Sequence, residues 1–109
     1  MISLFSIPGG LPRSEEFSEI LVRSGEIIVE RLISHGHTTP AGTWFDQEKD
    51  EWVALLQGDA YLTFIDGPGL EMHAGDSTLI PAHRRHRVEK TSTNPPCIWI
   101  ALYFPSHHS

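Results

Sequence analysis

The feature that most constrains this chain is its punctuation. After Gly25, short runs of β-branched, aliphatic and aromatic residues alternate with clusters of Gly, Pro, Asp and Asn. The runs are Ile27 to Ile33, Thr43 to Asp46, Trp52 to Leu56, Ala60 to Ile65, Leu70 to Met72, Thr78 to Ile80, His86 to Glu89 and Ile98 to Phe104. Among the separators are Gly58-Asp59, Asp66-Gly67-Pro68-Gly69, Ala74-Gly75-Asp76 and Asn94-Pro95-Pro96, which suit tight turns and interrupt helices. Segments this short are of strand length and below the usual length of a helix. About eight of them in the span after Gly25 predict an all-β jelly roll or small barrel. Closing such a barrel also removes exposed strand edges.

The 109 residues are enough for one hydrophobic core and too few for two. Residues 1–25 read as an N-terminal arm and residues 26–109 as the barrel domain. Within the arm, Ser14 is an N-cap candidate, Glu15 and Glu16 are early acids, and Phe17, Ile20 and Leu21 recur at helical spacing. That pattern predicts one short helix between Pro12 and Ile20.

The formal net charge of −6 argues against a nucleic-acid partner, which would require a clustered excess of Lys and Arg. The one basic cluster, Arg84, Arg85 and Arg87, is short and reads as a solvated turn. No stretch approaches the roughly 20 apolar residues of a membrane-spanning helix, and no basic segment followed by a long apolar run opens the chain. Cys97 is the single cysteine, so no internal disulfide can form. These features lead to the expectation of a soluble, cytoplasmic protein. Both faces of the Cys97 to Phe104 strand are largely apolar, and one barrel interior can cover only one of them. A homodimer is therefore expected.

Chemistry concentrates in two places. Four polar residues, Gln47 to Asp50, separate Asp46 from Glu51, a length that suits a hairpin loop. In such a hairpin Asp46 and Glu51 would face one another with Cβ atoms about 5 Å apart, and the two carboxylates would repel unless a cation or a shared proton relieved them. Period-two alternation places Glu51 on the same face as Val53 and Leu55, where a carboxylate needs a partner. By the same alternation His86 shares the inward face with Val88. Asp, Glu and His together form a mixed nitrogen and oxygen set suited to Zn, Mn, Fe or Ni. His35 and His37 are the alternative metal ligands, although Gly36 and Thr38-Thr39-Pro40 suggest that they lie in a turn. His73, His107 and His108 carry no assignment.

At this point the residues resemble the cupin superfamily, whose motifs are G(X)5HXH(X)3-4E(X)6G and G(X)5PXG(X)2H(X)3N. Glu51 followed after six residues by Gly58 matches the end of the first motif. Gly75, then Pro81 after five residues, then His86 match the second. The resemblance covers about residues 26 to 104 and implies a double-stranded β-helix, the jelly-roll barrel of that family. It departs from the pattern where Trp44 and Asp46 stand in place of two histidines and His83 in place of a glycine. The stretches Trp44-Phe45-Asp46-Gln47, Glu51-Trp52-Val53 and Pro81-Ala82-His83 are similar to a group of small bacterial cupins without an assigned activity. The resemblance implies that Asp46, Glu51 and His86 meet at the barrel mouth, with Trp44, Gln47 and His83 lining a substrate pocket.

Three functions are compatible with this reading. The first is a metal-dependent enzyme acting on a small organic acid, sugar or aromatic compound. The second is a binding or sensing module that encloses a small-molecule ligand without reaction. The third is metal-free acid/base chemistry at a carboxylate with a raised pKa.

Overall fold

The computed structural model describes residues 1–11 and 14–106. Pro12 and Arg13, where the expected helix would begin, and the tail histidines His107 and His108 lie outside the described residues. The described chain forms eight strands: β1 (Phe17–Ser24), β2 (Ile27–Ser34), β3 (Lys49–Gln57), β4 (Asp59–Phe64), β5 (Gly67–His73), β6 (Ser77–Ile80), β7 (His86–Thr91) and β8 (Cys97–Pro105). They make a five-stranded sheet in the order β1-β2-β8-β3-β6 and a three-stranded sheet in the order β5-β4-β7. Every pairing is antiparallel.

Seven of the expected runs become strands, each within a few residues of its predicted limits. The exception is Thr43 to Asp46, which contributes only an isolated bridge between Phe45 and His86. The eighth strand comes from the N-terminal segment, and here the expected helix is corrected. Phe17, Ile20 and Leu21 fit a helical stripe, but the residues pair in register with β2, from Phe17 opposite Ile33 to Ser24 opposite Ile27. A register shift between Ile20 and Val22 absorbs Leu21. The open edge of β2 supplies ladder hydrogen bonds that a single isolated helical turn could not match, so tertiary context overrides the local signal. The sheet therefore extends to the N-terminal side of Gly25, which lies in the turn between β1 and β2 with a φ of 58°.

The core sits between the sheets and is built from inward residues of each strand. Val53, Leu55, Trp99, Ala101 and Cys97 come from the larger sheet, and Ala60, Leu62, Phe64 and Met72 from the smaller. Alternation along β3 buries Glu51, Val53 and Leu55 and leaves Trp52 on the outside, 39% exposed. The outer face of the larger sheet is not uniformly wet. Arg31 is only 2% exposed there, held by Glu19 at 2.6 Å and by the carbonyl oxygens of Ser3, Leu4 and Ser6, which accept from its Nη1. The fork of one guanidinium thus straps the N-terminal arm across the sheet.

Candidate functional site

The two sheets diverge at one end and leave a cavity of about 220 Å³ between them. Its walls are apolar, with Leu32, Val53, Leu62, Val88 and Trp99 among them, and Phe45 closes one side. Its polar groups are Glu16, Glu30, Gln47, Glu51, His86 and Tyr103. Glu51 enters from β3 and His86 from β7, one from each sheet, as their positions in the strand alternation require.

Glu51 and His86 form the centre of the cavity. His86 is buried, and its Nδ1–H donates to the carbonyl oxygen of Arg84 at 2.9 Å. In the neutral ring this fixes Nε2 as the lone-pair nitrogen, and Nε2 faces Glu51 Oε1 at 3.9 Å. That distance is too long for a hydrogen bond. Glu51 Oε1 is the one buried side-chain polar atom among the described residues that lacks a partner. An orphaned buried oxygen costs stability and is uncommon in a folded protein.

Burial acts on both groups. It pushes the Glu51 carboxyl up from 4.5 to about 7; the neighbouring charge of Glu30 adds to the rise, and a hydrogen bond from Gln47 opposes it. Burial moves His86 the other way, below its ordinary value, against the effect of the Arg84 carbonyl, and the Arg84 charge adds to the lowering. The Glu30 carboxyl is raised by burial and by Glu16. The Tyr103 phenol is raised by burial and by the charges of Glu51, Glu30 and Glu16, so it remains a hydrogen-bond donor. Near neutral pH the site therefore holds a neutral imidazole beside a carboxyl that is about half protonated.

Asp46 is not part of this cavity, and the expected hairpin opposing it to Glu51 does not form. The segment before β3 crosses to the smaller sheet, where Phe45 exchanges backbone hydrogen bonds with His86. Asp46 then points to the rim. Its Oδ1 meets His83 Nδ1 at 2.7 Å and its Oδ2 meets Arg85 Nε at 3.4 Å. These contacts, the His83 hydrogen bond first, hold its carboxyl below its ordinary value.

His83 also lies on the rim and does not line the cavity. It occupies the left-handed region with φ 63°, where the cupin motif has glycine, and its backbone N–H donates to the Gln47 carbonyl at 2.8 Å. His83 thus pins the Asp46-Gln47 loop against the turn before β7. Trp44 lies 5.9 Å from the Arg87 guanidinium, outside the lining, and its neighbour Phe45 takes the place expected for it. Gln47 does line the cavity. His35 and His37 border a different hollow, beneath the N-terminal arm beside Ile7 and Pro8, and the His35 backbone N–H donates to His37 Nδ1 at 2.9 Å. The basic cluster is occupied: Arg84 contacts Asp66, Arg85 contacts Asp46 and Arg87 contacts Glu89.

These positions test the divalent centre expected on Asp46, Glu51 and His86. Catalytic metal sites keep about three protein ligands, whereas Glu51 and His86 are two, and both oxygens of Asp46 are engaged at the rim. Among the described residues no three His, Cys, Asp or Glu side chains are grouped to hold a metal ion. The donor set does not fit a resident metal of that kind.

Glu16 and Glu30 were not singled out in the sequence. Glu30 shares the inward face of β2 with Leu32, a signal that alternation offers, but Arg31 on the opposite face makes the two sides equally charged. Glu16 precedes β1 and is positioned through Ser34, whose hydroxyl donates to Glu16 Oε2 at 2.6 Å while accepting from Trp99 Nε1 at 3.1 Å.

Comparison with known proteins agrees with this architecture. No curated protein matches the chain. A solved structure from Ralstonia eutropha JMP134, described as a candidate mannose-6-phosphate isomerase, is 33% identical, with coverage of 97% of this chain and 98% of the other and a TM-score of 0.89. A cupin superfamily protein from Desulfitobacterium hafniense DCB-2 is 18% identical, with coverage of 96% and 100% and a TM-score of 0.71. A polyketide cyclase from Streptomyces resistomycificus is 18% identical over 82% of this chain and 64% of its own, with a TM-score of 0.68. The model of the Cupin domain family matches residues 33–103. With two antiparallel sheets, an inward Glu51 and His86 at the motif positions, and that match over most of its length, the chain belongs to the cupin superfamily.

Proposed function

We propose that this cupin binds a small organic molecule between its sheets and that Glu51, paired with His86, exchanges a proton with it. The observation that carries this reading is the unpartnered, buried Glu51 Oε1 facing His86 Nε2 across 3.9 Å. The gap accommodates one polar atom of a ligand in hydrogen-bond reach of both groups. A carboxyl with a pKa near 7 can give or take a proton at neutral pH, and the neutral imidazole can receive one. Gln47 steadies the carboxyl, Tyr103 offers a hydroxyl, and the apolar walls exclude water. Names such as isomerase and cyclase among the structural neighbours are compatible with proton transfer. Zn, Mn, Fe or Ni has no role in this reading, because among the described residues no three His, Cys, Asp or Glu side chains are grouped to hold a metal ion.

A fragment screen followed by 1H–15N NMR tests the proposal. Ring-sized fragments are expected to shift the Trp99 indole and the Gln47 amide, Glu51→Gln to weaken the hits, and Asp46→Asn to leave them in place. Hits that move only rim residues, or that depend on Asp46 and not on Glu51, would contradict it.

The partner on the outer face is proposed to be a second copy. Register places Val22, Val29, Leu102, Trp52 and Leu79 in one transverse row across all five strands of the larger sheet. Val22 and Leu79 are more than half exposed. A continuous apolar row of this kind suits a self-complementary interface. Sedimentation is expected to give a dimer that Leu79→Glu dissociates; a wild-type monomer at micromolar concentration would exclude it. No helix among the described residues is long and apolar enough to cross a membrane. A cytoplasmic location is proposed from the unpaired, buried Cys97.

A further inference from the structure

The polar lining of the cavity is one-sided in charge. Among the described residues Glu16, Glu30 and Glu51 all contribute to it, and no Lys or Arg does. The one basic side chain that the described residues bring to the lining, His86, is kept neutral by burial and spends its Nδ1–H on the Arg84 carbonyl. An acidic cluster alone would mean little, because carboxylates can simply hold protons or face water. Here an independent observation points to a ligand: Glu51 is only 7% exposed, and its Oε1 is aimed into the cavity with no hydrogen-bond partner.

We propose that the ligand is a small organic cation, a protonated amine carried on a compact apolar body. The proposal rests on the reading of this cavity as the ligand site and adds the chemical class of its occupant. An ammonium group would sit at the carboxyl end and give Glu51 Oε1 the donor it lacks. Its positive charge would also relieve the mutual repulsion of Glu16, Glu30 and Glu51. The body of the ligand would lie against Trp99, Leu62, Val53 and Phe45, where an aromatic wall also favours a cation.

The volume sets a size. About 220 Å³ exceeds the ~150 Å³ of an engineered cavity that takes up benzene, so one ring with a short amino substituent fits. A phosphorylated sugar is a poor occupant: its phosphate would enter a lining of three carboxyl groups while Arg84, Arg85 and Arg87 are engaged with Asp66, Asp46 and Glu89. The ligand class proposed here therefore differs from the substrate named for the Ralstonia relative.

Three probes of nearly equal shape decide the matter: benzylamine, benzyl alcohol and benzoate, titrated into the full chain by calorimetry and by NMR. Benzylamine is expected to bind at least about tenfold more tightly than benzyl alcohol, as one favourable charge contact in a part-buried site allows, and benzoate to bind least. Glu30→Gln is expected to weaken the amine more than the alcohol and so erode the preference, a readout that general loss of fold would not produce. Equal affinities for amine and alcohol, both shifting Trp99, would overturn the cation and keep the pocket. Tighter binding of benzoate would also overturn the cation. Failure of all three to bind in the cavity would remove both the cation and the ligand site on which it rests.

Discussion

Between pH 5 and pH 8 the wild-type protein is expected to lose up to about 3 kcal/mol of stability that Glu51→Gln retains. The figure follows from the Glu51 carboxyl being raised from 4.5 to about 7, at about 1.4 kcal/mol per pH unit. It applies to a side chain that is nearly fully buried, so screening by water reduces it little. The sign is fixed by proton counting. Between pH 4.5 and 7 the native state keeps the Glu51 proton that the unfolded chain has released, so stability is full below the unfolded value and falls as pH rises through the native one. His86 works in the opposite sense: its lowered value means that stability is lost as pH falls through it. Because His86 and Glu30 are present in both proteins, the difference between wild type and Glu51→Gln isolates Glu51. The variant should equal or slightly trail the wild type at pH 5 and exceed it at pH 8. Chemical denaturation at both pH values measures this. A difference that does not change with pH would mean that Glu51 ionises normally.

Gly58→Ala is expected to destabilise the fold by about 3 kcal/mol, and Gly75→Ala by only about 1–2 kcal/mol. Both glycines have positive φ, 92° and 96°, and both stand at cupin motif positions. They differ in their surroundings. A Cβ on Gly58 would lie 2.7 Å from Ser92 Oγ, 2.9 Å from Cys97 Sγ and 3.0 Å from Cys97 Cα, whereas a Cβ on Gly75 meets nothing within 4 Å. Ser92 cannot swing aside freely, because its hydroxyl donates to the Pro95 carbonyl at 2.7 Å and accepts from the Asp59 backbone N–H at 3.0 Å. Gly75→Ala therefore incurs the backbone term alone, and Gly58→Ala adds overpacking against β8. For a domain of this size about 3 kcal/mol corresponds to a fall in melting temperature of roughly 15 °C. Equal losses at the two positions would show that the contact with Ser92 and Cys97 carries no weight.

The legibility of this chain varied with the range of the interactions concerned. The strands from β2 onward were visible because alternation and turn residues act over a few neighbours, and the same alternation turned Glu51 and His86 inward. The helix expected before Ile20 failed because Phe17, Ile20 and Leu21 fit a helical stripe only locally, and pairing with β2, a partner outside the window, made the segment a strand. Asp46 was misplaced for a similar reason. Four polar residues can make a hairpin, yet Lys49 and Asp50 already belong to β3, and Gln47 and Glu48 carry the chain from the smaller sheet to the larger, a course set by the Phe45 and His86 pairing. One consequence of that crossing is that Phe45, one residue from the expected Trp44, closes the cavity. Glu16 was legible only as an early acid of the expected helix and not as part of the cavity, since its place depends on Ser34 and Trp99 from two other strands.

The central claim is that Glu51 titrates near neutral pH, about half protonated there, beside an unprotonated His86 Nε2. A 13C NMR titration of the glutamate side-chain carboxyls, with Glu51→Gln to assign the resonance, tests it most directly, and the His86 ring nitrogens can be followed by 15N in the same samples. The account predicts a Glu51 midpoint near 7, with a His86 ring protonated at Nδ1 and a midpoint below its ordinary value. A Glu51 midpoint between about 4 and 5, in the range of an exposed glutamate, would contradict it.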